Sequence, residues 1–195
     1  VGEEEVMTSF SVYVSAMDEA TGDYTASQLY VTPVTSTNEN GDEVEEFPFP
    51  VPAIGDIVSV TAVEYGNYQG TQDITPGEEL IVTGTGEAVV VALADLGAPS
   101  EETENMVVAG EMTIVSGPAN EFGEIVGKTL VVDYGAGEVQ LYGGPELEDF
   151  LNANPVCAGG TLALSAGIIT QYEDVHQIRV FARCHPSFYV YCAQR

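Results

Sequence analysis

The sequence predicts an all-β protein with a single short helix. Two observations carry the strands: apolar and polar residues alternate in short runs enriched in Val, Ile, Tyr and Thr, and turn-forming pairs punctuate those runs. A third bounds the rest, because only one stretch has helical spacing. The runs, in order, are 9–15 (SFSVYVS), 28–34, 56–65 (DIVSVTAVEY), 79–85, 87–94, 106–116, 129–134, 138–142, 161–170 and 176–183. Turns are expected at Gly22-Asp23, Asn40-Gly41-Asp42, Gly66-Asn67, Pro76-Gly77, Gly117-Pro118, Gly135-Ala136-Gly137 and Gly143-Gly144-Pro145. The helix falls at 145–152 (PELEDFLN). Pro145 suits its first turn, Glu146, Glu148 and Asp149 suit its N-terminal half, and Leu147, Phe150 and Leu151 share a face.

Charge narrows the function classes. Residues 1–127 contain no Lys or Arg but 24 Asp and Glu, and the whole chain carries 4 basic against 31 acidic residues, a net charge of -27. Nucleic-acid phosphates are bound largely by releasing counterions to clustered Lys and Arg, and anionic membranes likewise attract polybasic segments. Both partners are disfavoured here. Disorder is disfavoured too, since 45% of residues are apolar and they fall in periodic runs. No stretch approaches the ~18 to 20 apolar residues that span a bilayer as a helix. The chain opens at Val1 without Met and without a charged, then apolar leader, which reads as a mature exported protein.

An internal repeat links two hairpins. Gly55-Asp56 followed by IVSVTAVEYGNYQGTQDI is matched by Gly159-Gly160 followed by TLALSAGIITQYEDVHQIRV. Each has an alternating strand after glycine, a loop bearing Tyr65 or Tyr172, and a return strand through Gln72-Asp73-Ile74 or Gln177-Ile178.

The order of SFSVYVS, QLYVTPV, a long polar insertion, Gly-Asp-Ile-Val-Ser-Val-Thr and a Tyr-Gly-Asn-Tyr loop returning through Thr-Gln-Asp-Ile resembles the OB-fold modules of exported bacterial lipoproteins and extracellular nucleases. The stretch VVVALADLGAPSEETENMVVAGEMTIVSG is similar to the connector between such modules. The resemblance implies two OB-like five-stranded antiparallel Greek-key barrels in tandem, about 6–85 and 106–192, with the helix between the third and fourth strands of the second. The domains are then 1–85, an acidic connector 86–105, and 106–195. One departure is Gly160, which stands where the first module has Asp56. In the nucleases these modules are non-catalytic accessories, and the fold alone assigns no chemistry.

Candidate sites are few. Tyr65, Tyr68, Tyr142 and Tyr172, with Tyr134, could stack on sugars or bases if exposed on a barrel face; otherwise their rings pack half-buried at barrel rims with wet hydroxyls. Calcium takes six to eight oxygens from flexible loops. Two loops offer them: Asp18 and Asp23 in one, Asn38, Asn40 and Asp42 in the other, although neither fits the EF-hand spacing. His176 and His185 belong to no hydrolase or metal motif, and Cys184-His185 lacks the first cysteine of a haem site. Cys157, Cys184 and Cys192 lie in the last 39 residues. A hairpin of 161–170 with 176–183 would bring Cys157 near Cys184, the pairing favoured for a disulfide, with Cys192 as the alternative partner and three reduced thiols as the other reading.

The sequence therefore points to a non-catalytic extracellular or cell-surface structural or binding protein. Its expected partners are copies of itself, in oligomers or filaments with cations screening the charge, or an extracellular matrix or surface component. The termini, 1–8 and the apolar run 188–192 (FYVYC), are candidates for adding a strand to a neighbour's sheet edge. The alternative is an accessory OB module that binds saccharide or single-stranded nucleic acid for an exported enzyme. No cofactor is called for beyond calcium.

Overall fold

The computed structural model describes residues 9–17, 20, 24–68, 70–180 and 188–191. The described residues are mostly β and contain a closed five-stranded barrel and a half-barrel sheet. The chain divides into two compact units, residues 1–68 with 72–89 and residues 69–71 with 90–195.

Unit 1 contains β1 (Phe10–Met17), β2 (Tyr24–Val31), β3 (Val34–Thr37), β4 (Glu43–Glu46), β5 (Asp56–Tyr68) and β6 (Thr71–Thr85), the last beginning just outside its boundary. Its main sheet runs in the order β1-β2-β6-β5. β1 and β2 are antiparallel from Phe10↔Val31 to Met17↔Tyr24, whereas β2 and β6 are parallel through Gln28↔Asp73 and Leu29↔Ile74. Between β5 and β6, Gly86 N donates to Gly55 O (2.7 Å) and Thr83 Oγ1 to Ile57 O (3.1 Å), partners that run in opposite senses. β3 and β4 form a separate hairpin. Phe10, Val12 and Val14 of β1 and Val58 and Val60 of β5 point inward with Leu29, Val31, Phe49 and Leu80, as the two-residue period of a strand requires. Phe10 packs edge-on against Phe47 (4.9 Å between centroids) and Phe49 (6.2 Å).

Unit 2 contains β7 (Val91–Ala92), a 3-10 turn (Leu93–Asp95), β8 (Val107–Ser116), β9 (Thr129–Asp133), β10 (Glu138–Tyr142), α1 (Gly144–Ala153), β11 (Thr161–Tyr172), β12 (Val175–Arg179) and β13 (Phe188–Tyr191). β8, β9 and β10 form an antiparallel meander, β10 pairs parallel with β12, and β12 pairs antiparallel with β11. Closure comes from β11 meeting β8 antiparallel, Thr161↔Thr113 to Ile168↔Val107, with a register shift between Leu164 and Gly167. Such a bulge bends a strand so that a sheet can close on itself. Gly167 permits the bend, because a Cβ there would lie 2.8 Å from both Ile178 and Leu164 side chains. Inside the barrel Val108, Met112, Ile114, Leu130, Val132 and Leu162 are buried, and α1 adds Leu147 and Leu151 to the same core. β11 and β12 are joined by Glu173 and Asp174, both at positive φ (48° and 66°), the conformation of a two-residue hairpin turn whose twist matches the strands.

Several expectations are corrected. A four-stranded half-barrel sheet stands in unit 1 where a closed five-stranded barrel was expected, because no described strand there takes the place that β8 fills in unit 2. The run 28–34 is divided between β2 and β3, and the polar insertion holds the β3–β4 hairpin. β6 starts at Thr71 rather than at 79, passing through Pro76-Gly77. Among the described residues β6 meets β2 only at Asp73 and Ile74, so Pro76 lies beyond that ladder, where its missing N–H costs no bond to β2. The run 87–94 forms a strand only at Val91–Ala92. Leu93 then turns inward over Gly110, where an added Cβ would sit 3.0 Å from Leu93 Cβ. Residues 90–105, expected as a connector, belong to unit 2 and bury Leu93, Leu96, Glu104 and Asn105. Phe188–Tyr191, a candidate for joining a neighbour, pairs with β11 of its own chain.

Candidate functional site

The two units share one strand pattern, and the comparison isolates the candidate site. In unit 2 the order β9-β10-β12-β11 is antiparallel, parallel, antiparallel, and β8 bridges β9 to β11. In unit 1 the order β1-β2-β6-β5 has the same sequence of senses, and β1 and β5 stand at the two margins of the sheet. The hairpins with the internal repeat, β5–β6 and β11–β12, occupy equivalent places.

Burial follows this difference. Beside β8, the inward residues of β9 and β11 are sealed: Leu130, Val132 and Leu162 are at most 1% exposed. The corresponding margin residues of unit 1, Phe10, Val12 and Val14 on β1 and Val58 and Val60 on β5, are only half-buried. Complete burial of such a side chain is worth about 1.5–3 kcal/mol, so these five leave on the order of 5 kcal/mol unrealised. β5 carries apolar residues on its other face as well, with Ser59 and Thr61 between them. Ile57, Val63 and Tyr65 are exposed (54%, 66% and 79%), as is Ile81 on the neighbouring β6. A strand with apolar residues on both faces is the pattern of one covered on both sides.

The electrostatic setting is uniform, because unit 1 has no Lys or Arg among its assigned residues and carries Asp56, Glu64, Glu79 and Glu87 along and beyond β5 and β6. Gly55 closes the start of β5: its φ is 92°, and a Cβ would approach Gly86 O to 2.5 Å. Asp56 fixes the preceding turn by accepting from Ala53 N at 2.8 Å.

The tyrosines expected to stack do not form one platform. Tyr65 is the most exposed of those described; Tyr68 lies on β5 with its side chain outside the described residues. Tyr142 is half-buried and in register with Arg179, whereas Tyr172 pairs with Val175, four residues away on β12, roughly 13 Å along the strand. Tyr134 is a core residue, 6% exposed, with its hydroxyl donating to Gly97 O at 2.8 Å. Burial, and after it the Asp133 carboxylate, push its pKa above the ordinary 10.0.

The calcium candidates divide. Asp18 and Asp23 lie outside the described residues. Asn38, Asn40 and Asp42 form a closed hairpin turn in which Asn38 Oδ1 accepts from Asn40 N (2.9 Å) and Asp42 N (3.0 Å), while Gly41 at φ 86° donates to Asn38 O. That oxygen is directed at the loop's own amides, which accounts for Asn38 without an ion. The same device recurs at 120–124, where Asn120 Oδ1 accepts from Phe122 N and Glu124 N, both 3.0 Å, and Gly123 is at φ 77°. The two segments read NENGD and NEFGE, a correspondence that the sequence reading missed. Among the described residues no group of three His, Cys, Asp or Glu could hold a metal ion.

Cys157 is exposed in a turn where its carbonyl accepts from Gly160 N (3.1 Å). Cys184 and Cys192 fall outside the described residues, as does His185, so the expected disulfide falls there too. The sequence reading also passed over Glu104 and Asn105, each 3% exposed in the turn before β8. Asn105, at φ 64°, donates its N–H to Ile169 O (2.7 Å), and Ile169 N answers to Met106 O (3.0 Å). These bonds tie the turn to β11. No helix among the described residues is long and apolar enough to cross a membrane. No protein-family model matches the chain, and no curated protein matches it.

Proposed function

We propose that the protein is a non-catalytic extracellular or cell-surface module of two OB-type units, working by joining other polypeptides rather than by chemistry. An OB unit is a five-stranded Greek-key barrel; a meander of three strands, a parallel pairing of the third with the fifth, and a helix before the fourth all fit β8 to β12 with α1. The matching order in unit 1 supports a duplicated design, in which no described strand takes the place that β8 fills in unit 2. The observation that carries the function lies at the sheet margins: among the described residues no further strand lies beside β1 or β5, and their inward apolar residues are half-buried.

Self-assembly is the form of this reading in which a second copy completes the sheet. A charge of -27 opposes it, and salt near 1 M, where the Debye length falls to about 3 Å, removes most of that repulsion. Light scattering after size exclusion should show a monomer at low salt and growing oligomers at 1 M NaCl or with millimolar calcium, and Val60→Asp should suppress the growth. Mass that ignores salt, calcium and EDTA would remove self-assembly. A saccharide-binding accessory is the second reading. Tyr65 favours it, as an exposed ring on a strand face can stack on a sugar.

A further inference from the structure

We propose that Asn40-Gly41, at the tip of the β3–β4 hairpin, is a self-modification site at which Asn40 deamidates through a cyclic imide, and that Asn38 gates the reaction by clamping the turn. The chain is its own substrate, and water is the only co-reactant.

Among the asparagines of the chain only Asn40 precedes a glycine. Glycine matters because the following backbone nitrogen must come within bonding reach of the asparagine side chain, and a Cβ on that residue obstructs the approach. Gly41 stands in open space, where an added Cβ would meet nothing within 4 Å. Asn40, Gly41 and Asp42 are all exposed, and among the described residues the Asn40 side chain makes no hydrogen bond. The turn itself does not call for asparagine at this position. Its counterpart at 120–124 places Phe122 before Gly123 and closes with the same bonds to Asn120.

In the reaction Gly41 N loses its proton to base and attacks Asn40 Cγ. The new C–N bond closes a five-membered imide as the Cγ–Nδ2 bond breaks, and the amide nitrogen takes up a proton and leaves as ammonia. Water then opens the imide at either carbonyl, leaving aspartate or isoaspartate at position 40 and one more negative charge. The closed turn opposes the first step. Gly41 N–H is held on Asn38 O (3.0 Å), while Asn38 Oδ1 holds Asn40 N (2.9 Å) and Asp42 N (3.0 Å), so the attacking nitrogen is engaged and the main chain on both sides of it is fixed. Opening costs little, because β3 and β4 form a two-stranded sheet of their own whose residues are almost all exposed. Isoaspartate adds a carbon to the main chain between Asn40 N and Gly41 N, so the three bonds to Asn38 no longer close together. Conversion is therefore a one-way opening of the turn.

The test incubates the full chain at pH 8 for several weeks, folded and in urea, and follows conversion by peptide mapping with mass spectrometry that separates aspartate from isoaspartate. The folded chain should gain the mass of an amide turned to a carboxyl group at Asn40 and not at Asn120, and the unfolded chain should convert faster. Asn38→Ala should speed conversion of the folded chain about tenfold, the factor that corresponds to the two side-chain hydrogen bonds lost. In urea the variant and the parent should convert at the same rate. Asn120→Ala, the same loss in the other turn, should leave the rate at Asn40 unchanged, and Asn40→Ser should remove the mass gain. A folded chain that stays unconverted at Asn40 while the unfolded chain converts would overturn the site. Equal rates for the parent and Asn38→Ala when folded, or an equal acceleration by Asn120→Ala, would overturn the gate.

Discussion

Tyr134 shows how far a side chain's role depends on neighbours that sequence does not reveal. It sits among tyrosines that look alike in the sequence, yet its ring is in the unit 2 core and its hydroxyl is spent on Gly97 O. Because its pKa is raised by burial and by Asp133, the folded chain keeps this proton at a pH where the unfolded chain has begun to lose it. Stability from this group is complete below the unfolded value of about 10 and is lost as pH rises through the folded value. Tyr134→Phe should cost about 1 kcal/mol at neutral pH, the worth of one hydrogen bond, and should flatten the alkaline loss of stability. Urea denaturation between pH 8 and 11.5 would check both. Asn38 and Asn120 make the same point from the other side. Asn38 as an isolated oxygen donor suggests a cation, but in place it closes a five-residue turn around a left-handed glycine, as Asn120 does in its own turn.

At the level of elements, the difference between the units lies in which strands have a neighbour on each flank. β11 is paired along one flank with β8 and on the other with β12 and β13, and its inward Leu162 and Leu164 are buried. β5 has β6 on one flank and stands at the margin of its sheet. Substitution should register that contrast. Leu162→Ala should cost about 2–5 kcal/mol, as expected for a large side chain removed from a closed core. Val60→Ala should cost about 1 kcal/mol or less, since solvent already reaches the site and little cavity is created. Comparable losses in chemical denaturation would mean that unit 1 is as tightly closed as unit 2. The ion pair of Lys128 with Glu148 (3.8 Å, both side chains over two-fifths exposed) is no part of this balance, because such surface pairs contribute little.

Across the whole molecule, most strands and the helix were legible in the sequence, and the reasons for the exceptions are local. Residues 138–142 and the helix at 145–152 read clearly because period, turn residues and Pro145 agree. β6 was truncated because Pro76-Gly77 carries a turn signal that a strand can absorb away from its parallel ladder. The run 87–94 was overextended because Leu93 and Leu96 serve as anchors of unit 2 rather than as alternating strand residues. The repeated hairpin at 55–74 and 159–178 was visible, and it marks equivalent strands in the two units. The candidate site was not visible, because it consists of sheet margins beside which no described strand lies: the periodicity of β1 and β5 says which residues face inward but cannot say whether anything covers them. Charge, by contrast, was entirely legible.

Hydrogen exchange by mass spectrometry on the isolated protein at low salt tests the incomplete half-barrel most directly. The account predicts that amides of 10–17 and 56–68 exchange at least about tenfold faster than those of 129–133 and 161–168, because margin strands open with a smaller free energy than strands closed within a barrel. Equal, strong protection of all four segments would mean that unit 1 is already complete and would contradict it.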